Sequence, residues 1–414
     1  MEINDQRGRI FVSPQAYADQ EGWHEVAAEL RRDDPVLRVE AEGYTPFFAL
    51  TRHADVFEVS RRSDIFFNTR NAVLGPDANF ELIRSMGIDP KTLIHMDGVE
   101  HRDHRHVTND WFKPAAVKRR QEDIEAIADE FADKLVDFGG SCDFAQDIAV
   151  PYTLRVIMSI FGVPQADERL MLELTQGIFG AADPEYLGDV GDPLTYLTRT
   201  VARFDEYFAA LTEDRRAHPT DDLATVIANG QIDGCPMERH AQLWYYIIVA
   251  TAGHDTTSYA LAGGMEALLR QPDQLAALAV DPALATNAAE EMIRWTAPVR
   301  AFLRYAQEDT EIAGVPIAAG ERVLLSYPSA NRDDAVFTDP MRFDITRPDA
   351  DKLISFGLGV HYCLGSQFAR REVRTMLPKL LERVSAIELA GDPQWAEANF
   401  VGGVKHLPVT YTLR

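Results

Sequence analysis

The 414-residue chain has no segment that resembles a signal peptide or a membrane span. Its N-terminal stretch, MEINDQRGRIFVSPQAYADQ, lacks both an apolar signal core and the roughly 20 apolar residues of a spanning helix. Positive charge is also scarce, because 41 Lys and Arg stand against 65 Asp and Glu, a net charge of -24. Nucleic acid and anionic membranes would repel such a chain. We therefore expect a cytoplasmic protein whose main partner is neither of them.

Cysteine is nearly absent. The three cysteines, Cys142, Cys235 and Cys363, are odd in number and irregularly spaced, which excludes a disulfide framework and the usual zinc patterns. A lone cysteine is usually an inert, buried apolar residue, and we expect this of Cys142 and Cys235. The surroundings of Cys363 are different.

No internal repeat, low-complexity tract or Gly/Ser linker divides the chain, so we expect residues 1–414 to form one domain. Helical spacing of apolar residues predicts a surface helix over 116–138, and a long apolar run predicts an unusually long buried central helix over 242–270. Short alternating runs at 44–51 and 309–326 predict strands, the latter a hairpin. The expected fold class is mainly α with small β-sheets.

The strongest motif is FGLGVHYCLG, residues 356–365, followed by a helical run. Cys363 stands where a glycine-rich loop enters a helix, and the free N–H groups of a first helical turn favour a thiolate. Gly357 and Gly359 permit backbone conformations closed to other residues, and Gly365 leaves room beside the sulfur. Phe356 can shield the sulfur from water. The alternative interpretation, which involves no function, is a glycine-rich turn that holds a buried cysteine.

This motif resembles the haem-binding signature of the cytochromes P-450. The resemblance implies the P-450 fold, with haem b held between the long central helix and the helix after the cysteine loop. It makes Cys363 the iron ligand and His361 a partner of a haem propionate, with Phe356, Gly357 and Gly365 also against the cofactor. A thiolate ligand pushes electron density onto iron and favours cleavage of O2.

Two further motifs fit the same family. Glu291 and Arg294 lie three residues apart, where they can pair on one helical face, although most such pairs are solvated surface contacts. The downstream segments ANRD and DPMRF resemble the family's meander, in which an arginine joins this pair. By that resemblance Arg342 completes a buried network of three that holds the thiolate loop.

Haem propionates are anions that require fixed cations. The segment MDGVEHRDHRH resembles the family's MDPPEH-x-x-x-R, which implies that His101 and Arg105 bind a propionate, and Arg304 in RAFLRYA stands at a third such position. The segment departs from the family in having Gly98 and Val99 where prolines are usual.

The predicted central helix carries polar residues in an apolar setting, Ala252-Gly253-His254-Asp255-Thr256-Thr257. A buried Asp255 requires a partner or a function, and the alternative is that these residues face solvent. The pattern resembles the family's acid and alcohol pair, in which Thr256 hydrogen-bonds the oxygen being activated and Asp255 feeds protons to it. For His254 we expect a satisfied core histidine.

Family positions also imply the substrate pocket. Its expected lining residues are Ile248, Thr251, Ala252, Val299, Ala301, Phe302, Phe400 and Val401. Walls of this kind favour a small apolar ligand, such as a terpenoid or an aromatic hydrocarbon, and the C-terminal half looks most like the terpineol-oxidising subfamily. The segment 170–200 is expected to form part of a lid over the substrate.

These features predict a monooxygenase that inserts one atom of O2 into its substrate. The alternatives are a peroxide-driven haem-thiolate oxygenase, which usually lacks the acid and alcohol pair, and a non-catalytic haem protein. The electrons must come from outside, and we expect a ferredoxin with its NAD(P)H reductase. The basic residues expected to form its docking face are Lys113, Lys118, Arg119, Arg120, Arg370, Arg371 and Arg374.

Overall fold

The computed structural model describes residues 1–68, 71–179, 183, 185 and 193–414. Helices dominate the described elements, as the sequence predicts. They are α1 (Arg9–Val12), α2 (Gln20–Asp33), α3 (His53–Arg61), α4 (Asp77–Ser85), α5 (Gly98–Asn109), α6 (Pro114–Arg119), α7 (Gln121–Phe138), α8 (Val150–Phe161), α9 (Glu168–Phe179), α10 (Pro193–Ala217), α11 (Leu223–Ala228), α12 (Arg239–Ala252), α13 (Asp255–Leu269), α14 (Pro272–Val280), α15 (Ala285–Thr296), α16 (Tyr327–Ala330) and α17 (Ser366–Arg383). Within the described ranges, none of these helices combines the length and apolar character that crossing a membrane requires.

The strands form one five-stranded sheet and several small sheets. They are β1 (Val36–Val39), β2 (Phe47–Leu50), β3 (Phe66–Phe67), β4 (Ser141–Asp143), β5 (Gln231–Ile232), β6 (Cys235–Pro236), β7 (Ala301–Ala306), β8 (Thr310–Ile312), β9 (Val315–Ile317), β10 (Arg322–Ser326), β11 (Val384–Leu389), β12 (Gln394–Trp395), β13 (Val404–His406) and β14 (Pro408–Leu413). The five-stranded sheet has the order β1-β2-β10-β7-β3. β10 is parallel to β2 and antiparallel to β7, with Phe302 opposite Leu325. The predicted hairpin is present as β8 and β9.

The larger apolar core lies where α13 packs against α8, α15 and α17. Small residues of α13 allow the close approach. A Cβ on Gly264 would lie 2.2 Å from the Met292 side chain of α15, so the absence of a side chain brings the two helix axes together. A second core buries α2 against the five-stranded sheet.

The predicted central helix over 242–270 is buried but is not continuous. α12 ends at Ala252 and α13 begins at Asp255, with His254 between them at φ -120° and ψ -46°. The side chain of Thr153, on α8, donates to the carbonyl oxygen of His254 at 3.2 Å. The same carbonyl also accepts from the N–H of Ser258 at 2.9 Å, the first bond of α13, so Thr153 adds a contact that ties the junction to α8.

The predicted surface helix over 116–138 is likewise two helices. Val117 belongs to α6, and α7 begins at Gln121 after a turn at Arg120, whose φ is -92° and ψ 7°. The apolar spacing placed both segments against the core correctly, since Val117 and Ile124 are both buried. The spacing of the apolar residues did not predict the turn at Arg120 that separates the two helices.

A buried ion network stands behind the cysteine loop, and its third member differs from the prediction. Glu291 and Arg294 are fully buried and pair at 2.6 Å. Arg347 supplies the second guanidinium, with its Nε 3.1 Å from Glu291 Oε2. The prediction that Arg342 joins the pair is wrong, because its side chain is exposed.

Local packing explains why Arg347 and not Arg342 joins the network. Phe343 turns inward and packs edge-on against Trp295 at 5.8 Å, which directs the adjacent side chain of Arg342 to the surface. Only the carbonyl oxygen of Arg342 takes part, and it accepts from Arg347 Nη2 at 2.5 Å. The side chain of Arg347, five residues later, pairs with the Glu291 carboxylate instead.

The network is connected to the loop that leads to Cys363. Arg294 donates to the carbonyl oxygen of Asn331 at 2.8 Å. The Asn331 amide in turn donates to Ser355 Oγ at 2.7 Å and accepts from the N–H of Ile354 at 2.9 Å. The ion pair therefore positions the segment just before Phe356.

We expect Arg347→Met to lower the free energy of unfolding by about 3 kcal/mol, because it leaves a buried carboxylate with one charged partner instead of two. Arg342→Met is the matched control and should change it by less than about 0.5 kcal/mol. Urea denaturation followed by far-ultraviolet circular dichroism measures both. An equal loss in the two variants would contradict the assignment of Arg347 to the network.

Candidate active site

One cavity gathers most of the residues singled out from the sequence. It encloses about 1580 Å³ of space free of protein atoms, part of it open to solvent. Its walls come from α5, α12, α13, β7, the loop before α17 and the first two turns of α17. Segments that are far apart in the sequence, from Asn68 to Val401, therefore meet around one space.

The cysteine loop has a conformation that only its glycines permit. Gly357 and Gly359 have φ values of +65° and +68°. A Cβ on Gly359 would lie 2.5 Å from the carbonyl oxygen of Ser60, so no larger residue fits there. The N–H of Cys363 donates to the carbonyl oxygen of Phe356 at 2.8 Å, which closes the loop.

The Cys363 thiol is exposed and faces the cavity at the entrance to α17. Burial of this position within the protein raises the pKa of the thiol, while the N–H of Gly365 and the Arg105 guanidinium act in the opposite direction. The N–H groups of the first turn of α17 therefore favour the thiolate, and desolvation by the surrounding protein opposes them. A coordinated metal ion would deprotonate the thiol outright.

The other two cysteines lie away from the cavity wall. Cys142 is half-buried in β4, where burial raises the pKa of its thiol to about 12. Cys235 is exposed in β6. Neither shares the surroundings of Cys363.

Histidine and arginine side chains form a polar rim on the same cavity. Arg105 donates to the carbonyl oxygen of Tyr362 at 2.7 Å. Arg304 is buried on β7, next to Tyr327. The rings of His101 and His361 lie 4.2 Å apart, and burial lowers the pKa of His101 to about 4.

The rim residues fit a flat, doubly anionic cofactor such as the haem that the resemblance implies. The Nε2 atom of His101 is buried and has no hydrogen-bond partner among the described residues, and His361 Nε2 lies 3.6 Å from Asp97 Oδ1, beyond hydrogen-bond distance. A Cβ on Gly365 would meet no atom within 4 Å, so the space beside the sulfur is open. Buried donors without acceptors next to an open space are what propionate oxygens would satisfy.

The acid and alcohol pair is divided between the cavity and the core. Thr256 lines the cavity and donates to the carbonyl oxygen of Ala252 at 3.1 Å. Asp255 is buried behind the wall, with Oδ1 at 3.2 Å from His254 Nδ1, and burial raises the pKa of its carboxyl group. His254 is fully buried, as expected of a core histidine, and its Nε2 lies 2.7 Å from Thr175 Oγ1. Its Nδ1 makes no hydrogen bond within the described residues, so the histidine is only partly satisfied.

Six of the eight predicted pocket residues line the cavity. They are Ile248, Ala252, Val299, Phe302, Phe400 and Val401. The rings of Phe302 and Phe400 meet edge to face at 5.4 Å. This part of the wall is entirely apolar.

Thr251 and Ala301 do not line the cavity, so these two predictions are wrong. Ile248 and Ala252 are four residues apart and share one face of α12. Thr251 points away and donates to the carbonyl oxygen of Ile247 at 2.7 Å. Ala301 packs into the second core, because residues that alternate on a strand face opposite sides.

Several lining residues were not singled out from the sequence. They include Asn68, Leu93, Ile94, Phe112, Ile157, Val249, Ile293, Tyr327, Phe368 and Glu372. Most are apolar residues on helices that are buried on other faces as well. Composition and spacing therefore could not separate them from core residues.

The predicted lid segment 170–200 lies only partly within the described residues. α9 and α10 belong to it, whereas residues 180–182, 184 and 186–192 lie outside the described ranges.

Comparisons with known proteins agree with this geometry. The family model Cytochrome P-450 matches residues 283–408. Cytochrome P-450-terp from Pseudomonas sp. is 39% identical to the chain over 423 aligned positions, covering 99% of the chain and 98% of that protein. The Steroid C26-monooxygenase of Mycolicibacterium smegmatis is 31% identical, covering 94% of the chain and 90% of that protein.

Solved structures agree over nearly the same length. The crystal structure of CYP108D1 from Novosphingobium aromaticivorans aligns with a TM-score of 0.92 at 39% identity, covering 99% of the chain and 98% of that structure. CYP268A2 from Mycobacterium marinum, solved in complex with pseudoionone, aligns with a TM-score of 0.86 at 30% identity and covers 95% of each chain.

Proposed function

Because the chain belongs to the cytochrome P-450 family and is a haem-dependent monooxygenase, we propose that it hydroxylates a small terpenoid or aromatic hydrocarbon. The observation that carries this proposal is the apolar wall opposite the cysteine loop, formed by Val299, Phe302 and Phe400 among others. Such a wall orients a ligand by shape rather than by hydrogen bonds. The similarity to cytochrome P-450-terp supports the same substrate class.

Haem b, bound through a thiolate, supplies the chemistry that splits O2 with two electrons and inserts one oxygen atom into the substrate. We propose Cys363 as its iron ligand and His101, Arg105, Arg304 and His361 as the residues that bind its propionates. The protein residues then exclude water from the substrate side, orient the substrate and supply protons.

The substrate class is testable by the absorbance shift of the haem when a ligand is added. We expect saturable shifts with a monocyclic terpene alcohol and with an alkylbenzene, but not with an ionised fatty acid, because the arginines that line the cavity among the described residues, Arg105 and Arg304, are assigned to the haem propionates. Phe302→Ala should weaken terpene binding about tenfold, because an aromatic contact of this kind contributes about 1.5 kcal/mol.

Thr251→Ala is the matched control, since Thr251 lies behind the wall, and it should leave the dissociation constant unchanged. A shift with the ionised fatty acid alone would contradict the proposed substrate class.

Proton delivery is proposed to involve Thr256 and Asp255. Thr256 and Thr257 are polar residues of α13 that line the cavity, and the Thr256 hydroxyl donates to the carbonyl oxygen of Ala252 at 3.1 Å. Asp255 is adjacent in the sequence, and burial raises the pKa of its carboxyl group, which suits a group that takes up and releases a proton. Thr256 Oγ1 would pass that proton to oxygen.

We expect Thr256→Ala to bind substrate normally and to yield about tenfold less product per NAD(P)H, with hydrogen peroxide accounting for the difference. Thr251→Ala removes an equivalent hydroxyl, bonded back to its own helix and off the cavity wall, and should keep the wild-type yield. Product and peroxide are quantified against NAD(P)H consumed. An unchanged yield of product per NAD(P)H in Thr256→Ala would contradict the proposed role of Thr256 in proton delivery.

The electron donor is proposed to be an acidic ferredoxin that docks beside the cysteine loop. α6 contacts α17, which begins three residues after Cys363. Lys118 and Arg119 on α6 are exposed, and no carboxylate lies within ion-pair distance of either in the part of the chain that the structure describes. These two charges are therefore available to a partner.

Other members of the predicted docking face are already paired. Arg370 binds both carboxylate oxygens of Glu290, at 2.6 and 3.0 Å. Arg120 pairs with Asp221 at 2.8 Å and Lys113 with Asp110 at 2.5 Å. Arg371 donates to Gln121 Oε1 at 3.0 Å, so it keeps its charge. The proposed face therefore narrows to Lys118, Arg119, Arg371 and Arg374.

Reversing Lys118 and Arg119 to Glu should slow reduction by the ferredoxin about tenfold at low salt, because long-range attraction accelerates docking. The matched control reverses Arg169 and Arg239, exposed on α9 and α12, and changes the net charge equally. The difference should vanish as salt shortens the Debye length to below about 10 Å. Stopped-flow reduction across a salt series measures both; equal slowing in the two variants would exclude the face.

We also propose that residues 1–414 form one domain and that the protein is cytoplasmic, with an NAD(P)H reductase serving the ferredoxin. The shared cavity supports the first point, since its lining runs from Asn68 to Val401.

A further inference from the structure

Among the buried side chains outside the cavity that leave polar atoms without a hydrogen-bond partner in the described part of the chain, five form one group. They are Tyr17, His24, Arg300, Ser326 and Arg332, which we call the Arg300 cluster. Each is at most 6% exposed. The atoms are Tyr17 OH, His24 Nδ1, Arg300 Nε and Nη2, Ser326 Oγ, and Arg332 Nε and Nη1.

The two guanidinium groups are neighbours at the C-terminal end of α15. Arg332 Nη2 donates to the carbonyl oxygen of Trp295 at 2.8 Å. Arg300 Nη1 donates to the carbonyl oxygen of the next residue, Thr296, at 3.3 Å. Two consecutive carbonyls therefore hold one nitrogen of each guanidinium, and the remaining nitrogens are free to bind something else.

The other members surround these two groups. The Arg300 guanidinium carbon lies 5.4 Å from the centre of the Tyr17 ring. Ser326 pairs with Ala301 across β10 and β7, next to Arg300. Burial lowers the pKa of His24, and the charges of Arg332, Arg31 and Arg300 lower it further. His24 thus experiences the field of both guanidinium groups and is neutral.

The charge of the cluster is not balanced by protein. Within the described residues no carboxylate lies within 4 Å of Arg300 or Arg332, and Glu291 is already shared by Arg294 and Arg347. The helix end supplies only about half a negative charge. Burial lowers the pKa of Arg300 to about 10, so it is still protonated at neutral pH.

Burial also lowers the pKa of Arg332; the charges of Arg294, Arg31 and Arg300 act in the same direction, and Glu291 opposes them. A buried guanidinium group without a counterion is costly, so a negative charge between the two groups would stabilise the charged form of both. Ordered water could satisfy the hydrogen bonds, but it would not neutralise the charge. Every orphaned atom of the cluster can donate a hydrogen bond, including His24 Nδ1 in one tautomer. A set of donors only, with net positive charge, is complementary to an anion.

We propose that the Arg300 cluster binds one small inorganic monovalent anion, a halide such as chloride, between the guanidinium groups of Arg300 and Arg332. The full enclosure of the cluster favours a single-atom anion over a larger oxyanion. The backbone of Arg300 is bonded to the cavity wall, with its N–H at 2.7 Å from the Phe400 carbonyl oxygen and its carbonyl oxygen at 3.1 Å from the N–H of Tyr327. By fixing the position of Arg300, the anion would therefore stabilise the part of the cavity wall formed by Phe400 and Tyr327.

Crystals of the haem-loaded protein grown in sodium bromide test the site directly. We expect an anomalous difference peak within hydrogen-bonding reach of Arg300 and Arg332. Density there without anomalous signal would mean that the cluster holds water, and the proposal would be overturned.

Thermal unfolding of the same protein gives a second test. The melting temperature should be higher by roughly 2 °C or more in sodium chloride or bromide than in sodium gluconate of equal ionic strength, with a saturable dependence on halide. Arg300→Gln should abolish the dependence. Arg215→Gln is the matched control, because its charge is balanced by Asp222 at 2.6 Å, and it should retain the dependence.

Equal melting temperatures of the wild-type protein in the three salts would overturn the proposal, and so would a halide effect that survives in Arg300→Gln. The bromide crystal and the wild-type comparison decide the matter even if Arg300→Gln does not fold.

Discussion

The carboxylate of Glu291 is the group on which the geometry of the active site depends. A fully buried carboxylate must be paired on every side, and four donors from two segments meet that demand: Nε and Nη2 of Arg294, Nε of Arg347 and the N–H of Asp344. Arg294 in turn hydrogen-bonds Asn331, and Asn331 hydrogen-bonds Ile354, so the position of the segment before Phe356 depends on the ion pair. The position of the sulfur is thus set by an ion pair that does not touch the cavity.

Residues whose chemistry is carried by a short local pattern were predictable from the sequence. Cys363, His101 and Thr256 all face one cavity, although more than 250 residues separate the first two, because each motif brings its own loop or helix terminus with it. The mainly helical fold, the hairpin and the family were also predictable. Apolar spacing and turn residues are properties of neighbouring positions.

What could not be predicted depends on side chains that meet across the fold. Arg342 and Arg347 are both basic residues in a loop, and only the inward turn of Phe343 decides which one reaches Glu291. Ala301 and Phe302 are both apolar, and only the register of β7 against β10 decides which one faces the cavity. Thr251 was placed wrongly for the same reason, since the rotation of α12 was unknown.

The interruption between α12 and α13 has a consequence for the order in which the chain folds. Two contacts from α8 define it: Thr153 bonds the His254 carbonyl, and a Cβ on Gly253 would lie 2.4 Å from the Ile157 side chain. Neither contact exists until α8 has docked. The geometry of the break is therefore fixed only when α8 packs against it, although Gly253 weakens the helix locally even without that contact.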